Sequence, residues 1–193
     1  WVLPNTPDRR QLLPISCMEN VISNAERRAL LCKDKLVVPR VSDVYASLPS
    51  ITGKFELEYE GELRGADNVA RGLIRLAVAK VYDRYFSEAD VSQIVQWFEL
   101  GGTLKVPEGE PAAKVVERLK AIQGLLETAS AIAEDKRKRP EVQAAVAEFL
   151  LDGLYAHRRI NRNEELGYVA QQKKREASEP REIPVRGAGG QYN

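Results

Sequence analysis

Three groups of residues in this chain are of types that do chemistry. Arg9 and Arg10 stand side by side in a proline-rich N-terminal stretch, WVLPNTPDRR. A guanidinium is always charged, and its fork of donors matches phosphate oxygens in pairs. A solvated charge pair is the plainer reading of two such arginines. Cys17 and His157, the single histidine, would be nucleophile and base, but no thiol-enzyme motif flanks Cys17. No Cys, Asp or Glu cluster surrounds His157, so helix-end packing or a contact with a helix C-terminal dipole is its expected role. Glu56, Glu58, Glu60 and Glu62 alternate along the third group. Four carboxylates can collect a divalent cation, yet alternate residues on a strand's outer face are ordinarily just wet. No catalytic residue and no metal site is expected.

Nucleotide chemistry has no machinery of its own here. No stretch reads Gly-x-x-x-x-Gly-Lys-Ser/Thr, and no apolar strand ends in an Asp-Glu pair. The backbone cradle, the phosphate lysine and the Mg²⁺ ligands that phosphoryl transfer needs are therefore missing from this sequence. The chain alone is expected to bind no cofactor and to hydrolyse no ATP.

Basic residues cluster at Lys136 to Arg139, at Arg158, Arg159 and Arg162, and at Lys173 to Arg175. They suggest a helical nucleic-acid-binding module, held by phosphate contacts. Glu164, Glu165, Glu176 and Glu179 are interleaved with them, and no recognition helix or stacking aromatics accompany them, so nucleic acid is not the expected partner. The formal net charge of +1 supplies no global steering toward polyanions. A helical adaptor exposing one apolar groove is a further reading.

The elements that must position these residues follow from periodicity. Over 193 residues, 44% hydrophobic and 30% charged, the chain reads as a mainly α protein of about six helices with at most one short extended segment. Ser16 to Glu19 has the form of a capping box, predicting a helix from Ser16 to about Leu31 with Met18, Val21, Ile22, Ala25 and Ala29 inward. Cys17 and Cys32 lie about four turns apart on it, so they cannot bridge and read as reduced thiols of a cytoplasmic protein. Ser42 or Asp43 caps a short helix through Leu48 that Pro49 closes. Phe55 to Glu60 alternates apolar and acidic residues, predicting an extended segment.

From Asp67 a long helix is expected to bury Ala70, Leu73, Ile74, Ala77, Val81 and Tyr85. Asp90 caps a shorter helix that Gly101 and Gly102 stop. Another helix after Pro111 meets a break at Gly124 and resumes, and Pro140 opens the last one. The expected core is Val21, Ile22, Leu73, Ala77, Val81, Phe98, Leu119, Val146, Phe149 and Leu150. Beyond Tyr168 the chain is too polar to offset its ordering entropy. No apolar run is long enough for a membrane span, and the missing initial methionine suggests a fragment or a processed chain.

Three stretches carry a resemblance. Glu19 to Leu30 (ENVISNAERRAL), Val38 to Asp43 (VPRVSD) with Ile51 to Glu62 (ITGKFELEYEGE), and Phe149 to Asn161 (FLLDGLYAHRRIN) are similar to the region after the ATPase core in magnesium-chelatase-ATPase-subunit-like AAA+ proteins, relatives of the MoxR group. The similarity spreads over residues 9 to 165. It implies a lid-like helical segment at 1–60 and a C-terminal helical extension at 61–168; the polar composition of 169–193 reads as a flexible tail. It also implies that Arg10, or Arg9 if the register slips, senses nucleotide, with ATP and Mg held by a separate P-loop core in the full assembly. The implied partners are that core, neighbouring subunits of a ring oligomer and a client protein.

Overall fold

The computed structural model describes residues 7–52, 65–107, 109–133, 138–163 and 165–171, with side chains from Leu13 onward. Among them are eight helices and one two-stranded sheet: α1 (Pro7–Cys32), α2 (Val41–Ala46), α3 (Leu48–Thr52), α4 (Ala66–Phe86), α5 (Ser92–Glu99), α6 (Ala112–Leu119), α7 (Leu125–Ala133), α8 (Pro140–Ala156), β1 (Ile160–Asn163) and β2 (Gly167–Ala170). The fold is mainly α, as the periodicities predict. The expected extended segment at Phe55–Glu60 lies outside the described residues.

Local signals set several boundaries. Gly101, at φ 96°, ends the turn after α5, and Gly124, at φ 80°, separates α6 from α7, both in a backbone region that a side chain disfavours. Pro140 is the first residue of α8, where its missing N–H leaves nothing unsatisfied. Asp90 accepts the Ser92 amide at 2.9 Å at the start of α5.

Two boundaries differ from expectation, both at prolines. Helix α1 begins at Pro7 and runs through Pro14, so Ser16 is interior rather than a cap. The Ser16 carbonyl accepts from the Asn20 side chain at 2.9 Å. Pro49 does not close a helix but sits at the second position of α3, where a proline is tolerated because first-turn amides have no intrahelical acceptor.

The larger core gathers around α8, with Phe98, Ile94, Val115, Leu119, Ile122, Leu125, Leu150, Leu151, Leu154 and Ile160 all essentially inaccessible. A smaller cluster joins Val41, Leu48 and Ile51 to Ala70, Ile74 and Val78, with Leu13, Cys17, Phe149 and Ala156 against it. Side chains from both sides of residue 60 thus share one cluster.

Helix α4 corrects the expected core. It buries the row Ala70, Ile74, Val78, Tyr82 and Phe86, while Leu73, Ala77, Val81 and Tyr85 are exposed. The two rows lie side by side on a helix turning about 100° per residue, and contact with α3 and α8 selects the first. Ile22 of α1 is likewise exposed and Val21 half-buried, whereas Ala25 and Ala29 are buried. Val146 and Phe149 are half-buried against the core.

A two-stranded sheet stands where the sequence pattern predicts no strand. β1 and β2 pair antiparallel, Ile160 opposite Ala170 and Asn163 opposite Gly167, and Leu104 bridges to Tyr168. The ladder carries regular structure through Ala170, two residues into the span read as tail. Four-residue strands such as INRN carry too little alternation to read as extended on their own.

Candidate functional site

Helix α8 is apolar over most of its length, yet it carries two interior acids one turn apart, Glu148 and Asp152, exposed by only 4% and 2%. Each is met by an arginine from elsewhere in the chain. Arg40, at the start of α2, donates from Nε to Glu148 Oε2 at 3.1 Å and from Nη2 to Oε1, a two-pronged pair. Arg162, on β1, donates from Nη1 to Asp152 Oδ1 at 3.3 Å, and its guanidinium lies over the rings of Tyr168 and Tyr45 at 5.1 and 5.8 Å.

A second arginine clamp orders the approach to α2. Arg28 of α1 donates to both oxygens of Asp43, at 3.2 and 2.8 Å, and to the Val38 carbonyl at 2.8 Å. Asp43 in turn accepts the Arg40 backbone amide at 2.8 Å. The loop 33–39, which has no regular structure, is thereby tied at both ends to α1, and Arg40 is held facing Glu148.

Burial pushes the Glu148 carboxyl above its usual range, against the opposing pull of Arg40, and pushes Asp152 up against the pull of Arg162. Tyr168 donates a hydrogen bond to Asp152, and burial together with that charge raises its phenol well above 10. Tyr45, desolvated near Asp152, is pushed up to about 12.

These groups form one wall of a cavity of about 770 Å³ between α2, α4, the segment around Leu104 to Pro107, α8 and the sheet. Its cations are Arg40, Arg71, Arg75, Lys105 and Arg162, and its carboxylates are Glu148 and Asp152. The volume falls in the range of small-molecule pockets.

Apart from Arg162, the residues singled out from sequence lie elsewhere. Arg9 and Arg10 are in the first turn of α1 rather than in an extended arm ahead of it, and their side chains lie outside the described residues. Pro14 has no N–H, so the Arg10 carbonyl, its partner four residues back, has no backbone donor there. His157 caps the C-terminal end of α8, pairs with Asp83 at 2.9 Å and packs on Tyr82 with ring centroids 5.2 Å apart; this is the expected helix-end role. Cys17 and Cys32 are free thiols, both half-buried on α1, and Cys17 lies 3.4 Å from the Ser47 hydroxyl. Of the basic clusters, Arg158 and Arg159 are exposed while Arg162 is committed to Asp152; Lys136, Arg137 and Lys173 to Arg175 lie outside the described residues. Glu56, Glu58, Glu60 and Glu62 lie outside them too. Among the described residues no three His, Cys, Asp or Glu side chains gather as a metal site, and no helix is long and apolar enough to cross a membrane.

The network itself had one sequence signal, two acids spaced i, i+4 inside the apolar run VQAAVAEFLLDGL. Acids there are buried only with partners, but nothing local says that the partners are Arg40 and Arg162. No family model, no curated protein and no solved structure matches this chain.

Proposed function

We propose that this chain is the lid and C-terminal helical portion of a magnesium-chelatase-like, MoxR-related AAA+ ATPase, coupling the nucleotide state of a ring to a partner protein or a neighbouring subunit. The observation that carries the reading is the convergence of the resembling stretches. Arg28 comes from 19–30, Arg40 and Asp43 from 38–43, and Asp152 from 149–161, and all belong to the buried charge system around α2 and α8. Residues far apart in the chain that resemble one family thus serve one interior. In this reading ATP and Mg belong to a P-loop core, this chain catalyses nothing by itself, and Arg10 or Arg9 reaches the nucleotide's terminal phosphates from the start of α1. Free, half-buried Cys17 and Cys32 suit a reducing, cytoplasmic setting.

Replacing Arg9 and Arg10 together by alanine in the complete ATPase tests it. A cation at a transferring phosphoryl group contributes roughly tenfold or more in turnover, so the expected result is a loss of that size. An unchanged ATPase rate and unchanged ring assembly would overturn the assignment at this position.

A free-standing helical adaptor is the second reading, favoured by apolar side chains left in solvent. Ile15, Met18 and Ile22 lie on one face of α1, exposed by 49%, 59% and 43%, and Leu76 of α4 is 62% exposed. The same arginine replacement would leave an adaptor's partner binding intact, whereas Ile22→Ser with Met18→Ser would abolish it.

A further inference from the structure

We propose that the cavity between α2, α4, α8 and the sheet is a binding site for a compact, multiply charged oxyanion. The inference stands on this cavity alone, independently of the ATPase reading. Five cationic side chains and two carboxylates line it, a surplus of three positive charges. Both carboxylates are already engaged, Glu148 with Arg40 and Asp152 with Arg162. The surplus resides on Arg71, Arg75 and Lys105, which have no carboxylate within salt-bridge distance among the described residues.

Arg71 and Arg75 stand one turn apart on α4, a like-charge spacing that costs a helix stability unless an anion answers it. Arg75 also packs over the ring of Tyr155 at 5.8 Å, which holds its guanidinium at the cavity. Lys105 lines the cavity from a different element, the segment that Leu104 fastens to Tyr168 through two backbone hydrogen bonds of 3.0 and 2.9 Å.

The inner wall adds an independent sign. Arg40 has a side chain only 1% exposed, and its Nη1 has no hydrogen-bond partner; the Ser42 hydroxyl is buried and equally unpartnered. Both residues line the cavity. Buried donors without acceptors are rare because each costs its full desolvation, and an oxyanion supplies acceptors only. Phosphate esters and polycarboxylates share this chemistry. The phenol of Tyr45, shifted upward, keeps its proton and adds a donor rather than negative charge, while that of Tyr168 is already given to Asp152.

Isothermal titration of the whole chain with sodium pyrophosphate, and separately with citrate, tests the site in low salt at neutral pH. One-to-one binding of either anion is expected, and the anion that binds more tightly identifies the class. Arg71→Gln with Arg75→Gln, both at exposed positions, should weaken it about tenfold or more, since hydrogen bonds to charged groups are each worth roughly a factor of ten. Lys105→Gln, on a different element, should weaken it in the same direction and stands in if the double variant fails to fold by circular dichroism. Binding by neither anion, or binding unchanged in folded variants, overturns the proposal.

Discussion

Arg40 and Glu148 are 108 residues apart in the chain and meet in the interior as a two-pronged ion pair. That pair joins the start of α2 to the middle of α8 and so ties the N-terminal helices to the larger core. Coulomb attraction does not make it a stabilising element by itself, because taking both charges out of water costs about as much as their pairing returns. Its consequence is that neither partner tolerates loss of the other.

Removing one charge is therefore expected to be worse than removing both. Arg40→Met or Glu148→Leu alone should cost about 3–5 kcal/mol, the usual result of stranding a buried charge. The double variant should cost clearly less than the sum. Urea unfolding of the three variants measures it, and additive losses would show the two charges to be uncoupled.

Two helix glycines are predicted to respond with opposite sign. A Cβ at Gly153 of α8 would overlap the ring of Tyr82 on α4, whereas one at Gly72 meets nothing within 4 Å. Alanine is the better helix former by about 1 kcal/mol, so Gly72→Ala should raise the melting temperature. At Gly153 the same gain is outweighed by overpacking of about 1–3 kcal/mol, and the melting temperature should fall.

Asp152 should make stability depend on pH in an unusual direction. Its folded pKa is raised from 3.8 by burial, against Arg162, so the folded state holds this proton more tightly than the unfolded chain does. The resulting stabilisation is fully present below the unfolded pKa and is lost as pH rises through the raised folded value. Wild type should thus lose stability relative to Asp152→Asn as pH increases from the ordinary carboxylate range. Urea midpoints of both proteins across that interval check it, and a difference moving the other way would contradict it.

The exposed apolar side chains should contribute little to the chain's own stability. Leu76→Ser and Ile22→Ser are expected to change unfolding free energy by no more than about 0.5 kcal/mol. Leu150→Ala, at a site with no exposure, should cost about 2–5 kcal/mol. Chemical denaturation of the three variants separates the groups, and a large loss at Leu76 would mean that this face is covered within the chain itself.

Much of the helical framework is legible locally. Apolar residues recurring at three and four positions mark α4 to α8, Gly101 and Gly124 mark stops, and Pro140 marks a start, because each acts through its own backbone or its immediate neighbours. Local signals mislead where the neighbours compensate: Pro49, expected to close a helix, lies inside α3, and Ser16, expected to cap one, lies inside α1 beyond Pro14.

The tertiary structure alone decides which apolar row is interior. On α4 the rows through Leu73 and through Ile74 are both apolar in sequence, and the packing of α3 and α8 buries the second. It also decides the short β1–β2 ladder, whose strands carry too little pattern to stand without each other, and it brings Arg40 to Glu148 and Arg162 to Asp152. A buried charge is tolerable only where its partner is delivered, and that delivery depends on how distant segments pack. The cavity that these pairs line is therefore a property of the assembled helices, while the helices themselves are written residue by residue in the chain.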